Sequence, residues 1–221
     1  RITFGGKGSD PGKFNRPRGV AVSPKSEIFV ADRDNRRIQV HNMKGETIRQ
    51  IPTTVPGQEN LTMRPDDIAI DGNDLLWIVG SDWSTEIFRP DGYQLRRVGI
   101  NQGMVAPMFV TLDKEDNILV SDYGTHSVYA YDQEGTFLFK FGGYGSGVGQ
   151  LKDPRGICVD SSGNIIVADF GNKRLEMFTN RGKFLRHVTD SSGRPDGIAV
   201  GPDGQLVVTE WNHTASIIPS Y

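Results

Sequence analysis

The sequence predicts an all-β chain folded as a closed β-propeller of four-stranded antiparallel blades, five in number. Three observations predict it. A segment of about 41 to 48 residues recurs five times along the 221-residue chain, the spacing of propeller blades. Each copy is built from short β-branched runs divided by clusters of Gly, Asn, Asp and Ser, the mark of strands joined by tight turns. The two ends of the chain carry complementary parts of one copy, so that an N-terminal strand completes the last blade. A ring closed in this way has no open sheet edge to invite aggregation. The alternative, a six-bladed ring lacking one blade, would leave two raw faces.

The best-formed copy is PRGICVDSSGNIIVADFGNKRLEMFTNRG, residues 154–182. The run 156–159 is a first strand, and the turn cluster 160–164 leads to a second at 165–168. The polar connection 170–174 precedes an alternating third strand at 175–178. A turn at 179–182 leads to a fourth at 183–188. The opening Pro of each copy recurs at Pro17, Pro65, Pro107, Pro154 and Pro195. The glycine of the last turn recurs at Gly45, Gly92, Gly135 and Gly182. In the second copy Val79 is read as replacing the aspartate that ends the second strand elsewhere. The fifth copy stops after its third strand, and RITFGG at the start of the chain matches the fourth-strand ending FKFGG at 139–143. The expected organisation is one propeller domain over residues 1–221. Its blades lie near 14–51, 63–99, 105–142 and 151–189, with 194–221 completed by 1–5.

Composition narrows the function classes. The formal net charge is −2, so no global attraction to nucleic acid or membrane exists, and any basic surface has to be local. No apolar run approaches the length of a membrane span. The single cysteine, Cys158, lies in an apolar run with no histidine near it and reads as a buried structural thiol, favouring a reducing, cytoplasmic setting. The chain opens at Arg1 without methionine and is expected to be a piece of a larger protein.

The first and fourth copies, FGGKGSDPGKFNRPRGVAV…IFVADRDNRRIQV and FGGYGSGVGQLKDPRGICV…IIVADFGNKRLEMF, resemble NHL repeats, and the likeness extends, less sharply, over the rest of the chain. In texture the chain is similar to the TRIM-NHL proteins, in which such a propeller follows RING, B-box and coiled-coil segments. The resemblance implies a non-catalytic recognition propeller. Several related propellers bind RNA on one face, and others recruit protein substrates for ubiquitin-ligase chemistry located elsewhere in the parent chain. Five copies depart from the six blades common in that family.

With alternating strand directions, the turns after strands one and three share one rim, and these are short, Gly-rich and acidic. The opposite rim carries the longer connections, where function concentrates on a rigid scaffold. It is expected to hold Arg18, Arg33, Asn35 and Arg36 from the first copy, Arg155, Asn172 and Lys173 from the fourth, and Arg194 from the fifth. These would form a basic arc, interrupted by Asp66, Asp67 and Asp82 of the second copy. Aromatic residues recur on this rim at Trp83, Tyr123, Phe170 and Trp211, beside His126 and His213. Guanidinium groups among flat aromatic faces suit single-stranded or hairpin RNA, whose phosphates need charge and whose unstacked bases need π-faces. Trp and Arg also dominate protein hot spots, so a protein partner on the same rim is the alternative. Neither specificity for DNA nor membrane association is expected. Asp32, Asp122 and Asp169 read as strand-end caps, with Arg37 and Arg174 as candidate partners. No catalytic residue, metal site or cofactor is expected. His126 and His213 come from different blades without clustered ligand spacing, and the GYGSG run at 143–147 lacks the strand-turn-helix context of a nucleophile or phosphate loop.

Overall fold

A computed structural model describes every residue except 56–57, 81–83, 191–192 and 220. It shows the expected class, an all-β, five-bladed β-propeller fold. The chain divides into two compact units, Arg1–Ile100 and Asn101–Tyr221. Among the described residues no helix is long and apolar enough to cross a membrane.

The first unit holds two four-stranded sheets. One runs β1 (Pro17–Val22), β2 (Ile28–Asp32), β3 (Arg37–His41) and β4 (Thr47–Pro52). A small hairpin, β5 (Thr54–Val55) with β6 (Gln58–Thr62), was not expected from the repeat pattern. The next sheet is β7 (Pro65–Ile70), β8 (Leu76–Gly80), β9 (Ser84–Phe88) and β10 (Gln94–Val98). In the second unit, one sheet is β11 (Pro107–Leu112), β12 (Ile118–Asp122), β13 (Ser127–Tyr131) and β14 (Phe137–Gly142). Another is β15 (Pro154–Val159), β16 (Ile165–Asp169), β17 (Arg174–Phe178) and β18 (Phe184–Asp190). The last is β19 (Pro195–Val200), β20 (Leu206–Glu210) and β21 (Thr214–Ile218).

Strand register explains the recurring prolines. Pro17 lies opposite Asp32, Pro65 opposite Gly80, Pro107 opposite Asp122, Pro154 opposite Asp169 and Pro195 opposite Glu210. Proline at a first strand position forfeits no interior ladder bond. The register also corrects the sequence reading of the second copy, because Gly80, and not Val79, stands where the other copies carry a carboxylate. The hairpin turns hold themselves: Asp160 Oδ1 accepts the amides of Ser162 and Asn164, both at 2.8 Å, and Asp71 and Asp113 repeat the arrangement.

Blades stack through apolar faces inside each unit. Phe29, Ile38, Val40 and Ile51 pack with Ile68, Leu76, Ile78 and Phe88 in the first unit. In the second, Leu119, Val128, Phe141 and Leu151 pack with Ile157, Ile165 and Phe178, and Cys158 joins Ile166, Leu175 and Val208. Burial among these groups, with Asp160 adding to it, pushes the Cys158 thiol up to about 12, so the thiol is protonated and inert as expected.

One expectation is not met. The fifth sheet has three strands, and residues 1–6 form no strand, so 1–5 do not supply its fourth. The matching FGG motifs share a packing role instead. Phe141 covers Gly182 of the blade that follows it, where an added Cβ would come within 2.5 Å of its ring. Phe4 covers Gly45 in the same way, at 2.7 Å, with its ring 4.8 Å from His41. Glycine at φ +76 and +82 respectively is required both for the turn and for that close approach.

Candidate ligand-recognition site

On the rim with the longer connections, the strand-end carboxylates organise the backbone. Asp169 is fully buried and accepts from the Lys152 amide at 2.7 Å, Asn172 Nδ2 at 2.8 Å and Arg174 Nε at 2.9 Å. Asn172 also donates to the Gly145 carbonyl at 2.8 Å, and Arg174 reaches the carbonyls of Ser146, Gly147 and Gln150. Together they clamp the Gly-rich loop that precedes the blade. Burial pushes the Asp169 carboxyl up, and the bonds from Asn172, Lys152 and Arg174 oppose that shift. The first unit repeats the device. Asp32 binds the Asn15 amide, Asn35 and Arg37, while Asn35 holds the Gly8 carbonyl and Arg37 those of Asp10 and Lys13. In the third blade Asp122 binds the amides of Val105, Ala106, Gly124 and Thr125. Asn35 and Asn172, expected on the ligand surface, thus have their amides committed to the scaffold. Replacing Asn172 by alanine should cost about 1–2 kcal/mol and speed amide exchange across 144–151, measurable by hydrogen–deuterium exchange. Unaltered exchange there would remove the clamp assignment.

The arginines that follow the opening prolines are tied to the next blade. Arg18 Nη1 meets Asp66 Oδ1 at 2.7 Å, and Arg155 Nη1 meets Asp196 Oδ1 at 2.7 Å. Arg33 joins the same Asp66 oxygen at 2.7 Å and Asp34 at 3.1 Å. These carboxylates neutralise much of the charge expected from a basic arc. Arg36 is exposed at φ +54 and donates to the Thr62 carbonyl at 2.7 Å. Asp82 and Trp83 lie outside the described residues.

The second unit brings several predicted residues together. The Arg155 guanidinium lies 3.6 Å from the Phe170 ring centroid and 5.2 Å from that of Trp211. Arg194 is 5.2 Å from Phe170 on the same cluster, and Phe170 and Trp211 meet edge to face at 5.9 Å. Trp211 is 63% exposed and Tyr123 45% exposed, while Phe170 is buried. A cleft of about 330 Å³ opens beside the cluster, lined by Met108, Tyr123, Asp153, Arg155 and Phe170. His126 accepts the Asp153 amide at Nδ1, 3.1 Å away, and packs on Tyr144 at 5.0 Å. Lys173 and His213 are exposed at φ +57 and +66. Among the described residues no three His, Cys, Asp or Glu side chains gather as a metal ion would require. Met108, Asp153 and Asp196 were missed from sequence. Their only signal was the residue beside each opening proline, which reads Arg, Asp or Met from copy to copy.

The full Asp–Asn–Arg clamp is found in the first and fourth blades. The NHL repeat model matches residues 14–40 and 151–178. The chain is 32% identical over 142 residues to protein brain tumor of Drosophila melanogaster, covering 63% of this chain and 14% of that protein. It is 36% identical over 100 residues to the E3 ubiquitin-protein ligase TRIM32 of Mus musculus, covering 41% of this chain and 15% of that protein. The chain therefore spans about one seventh of the length of these relatives. The chain contains NHL repeats within an all-β, five-bladed propeller fold, and these sequence relatives are TRIM-NHL proteins.

Solved structures share the fold. A catalytically inactive virginiamycin B lyase from Staphylococcus aureus superposes with a TM-score of 0.76 at 17% identity, over 95% of this chain and 72% of that one. A gluconolactonase from Xanthomonas campestris gives 0.71 at 16% identity, over 91% and 71%.

Proposed function

We propose that this chain is a non-catalytic recognition propeller and that the rim of its second unit binds single-stranded RNA, in a cytoplasmic setting. The carrying observation is the cluster of Arg155, Phe170, Trp211 and Arg194. It presents an exposed indole beside guanidinium groups already held in place, where a base can stack without first ordering the site. Arg194 and Lys173 are exposed at its margin and suit phosphates. The test is fluorescence polarisation of a labelled single-stranded RNA pool at low and near-physiological salt. The expected result is binding that weakens with salt, and less steeply so in the double variant Lys173→Glu, Arg194→Glu. No binding at either salt overturns the reading.

A second reading has its own observation. The Arg18–Asp66 and Arg155–Asp196 pairs leave the rim less basic than its arginine count suggests. A protein partner needs less net charge, and Trp and Arg anchor such interfaces. In that case the propeller would recruit a substrate for ligase chemistry housed elsewhere in a longer parent chain, as the TRIM32 relative's name suggests. Binding insensitive to salt, to a protein and not to RNA, would favour it.

A further inference from the structure

We infer that the cleft lined by Met108, Tyr123, Asp153, Arg155 and Phe170 is a base pocket that selects guanine, a conclusion that rests on the RNA reading above and sharpens it. Two polar groups of opposite charge line one cleft. Arg155 lies over the Phe170 ring, its guanidinium carbon 3.6 Å from the centroid, and commits Nη1 to Asp196 at 2.7 Å. Its other N–H groups have no hydrogen-bond partner among the described residues, and its side chain is largely buried, so a ligand meets an oriented donor. Asp153 supplies the acceptor. Its backbone amide donates to His126 Nδ1 at 3.1 Å, which makes that nitrogen a lone-pair acceptor. The carboxylate lies 3.3 Å from the same nitrogen and is partly exposed to the cleft side. No ion pair joins Asp153 to Arg155, although both line the cleft. A guanidinium and a carboxylate that share a cleft without meeting are suited to a ligand that bridges them.

The apolar walls say which kind of bridge. Tyr123 and Phe170 offer ring surface and Met108 a polarisable thioether, a lining that takes a flat heteroaromatic ring. A carboxylate reads two adjacent N–H donors, and guanine carries such a pair on its Watson–Crick edge, at N1 and at the 2-amino group, with the O6 acceptor beside them for Arg155. Uracil has one N–H between two acceptors. Adenine and cytosine each present one amino group and no second donor beside it on that edge. Guanine alone satisfies both wall groups with a bidentate contact.

The experiment uses the chain with 5′-labelled octamers of uridine carrying one central guanosine, adenosine, cytidine or inosine. The guanosine octamer should bind about tenfold more tightly than the others, and inosine, which lacks only the 2-amino group, should lose most of that gain. In Asp153→Asn the guanosine, adenosine and cytidine octamers should become equal. Asparagine tolerates the φ of +50 at this position, so the fold is expected to survive, and thermal melting checks it. Guanosine no tighter than adenosine or cytidine, with RNA still bound, overturns the guanine pocket and leaves the RNA reading standing. A guanosine preference retained in full by inosine or by Asp153→Asn also overturns it. Failure of every octamer to bind removes both.

Discussion

Replacing Asp169 by alanine should destabilise the protein by about 3–5 kcal/mol, the largest single effect expected outside the apolar core. The Asp169–Arg174 pair as formed need not contribute much, since burial is the leading influence on the carboxyl and pushes it upward. Removing one half is a different matter. Arg174, mostly buried, loses its 2.9 Å partner and keeps Glu176 at 2.8 Å, while the Lys152 amide and the Asn172 amide group lose acceptors at 2.7 and 2.8 Å. Donors left without an acceptor in a buried place cost more than the intact network supplies. For a domain of this size the melting temperature should fall by roughly 10 °C or more, read by circular dichroism. Asp169→Asn keeps an acceptor for the backbone amide but not the charge, and should fall between wild type and alanine. A loss below about 1 kcal/mol for alanine would show that the clamp is not what holds the Gly-rich loop.

The second large effect concerns binding. Trp211→Ala should weaken single-stranded RNA binding by about tenfold or more, since base–aromatic stacking is worth about 1–3 kcal/mol per base. Stability should hardly change, because the indole is 63% exposed and its ring contacts among the described residues are the Phe170 edge at 5.9 Å and Arg155 at 5.2 Å. Trp211→Phe retains a π-face and should recover most of the affinity. Titration of all three proteins by fluorescence polarisation, beside their melting curves, separates a contact from a folding defect. Equal affinity for wild type and Trp211→Ala would remove the stacking role and shift weight to the protein-partner reading.

Much of the fold was legible before any coordinates. Strand identity depends on short-range features, on β-branched runs and on Asx and glycine turns, and these were read within a residue or two at residues 154–188. The aspartates at 32, 122 and 169 were read as caps because a carboxylate at a strand end faces loop amides whatever the rest of the chain does. The site was legible only in part. Phe170, Trp211, Arg155 and Arg194 do gather, as a recurring loop position on stacked blades suggested. Asn35 and Asn172 turned inward, because each faces a carbonyl 27 residues back, at Gly8 and Gly145, that only the folded loop supplies. Phe4 misled for a related reason, its FGG motif marking a packing contact on Gly45 and not strand pairing.

The sequence by itself determined the repeat, the strands, their turns and the rim on which the varied loops fall, since each of these follows from residues within a few positions of one another. Only the tertiary structure decided which arginines remain available to a ligand. Arg18 and Arg155 find their carboxylates 48 and 41 residues away, on the neighbouring blade, and a long flexible side chain declares its partner only when the blades are stacked.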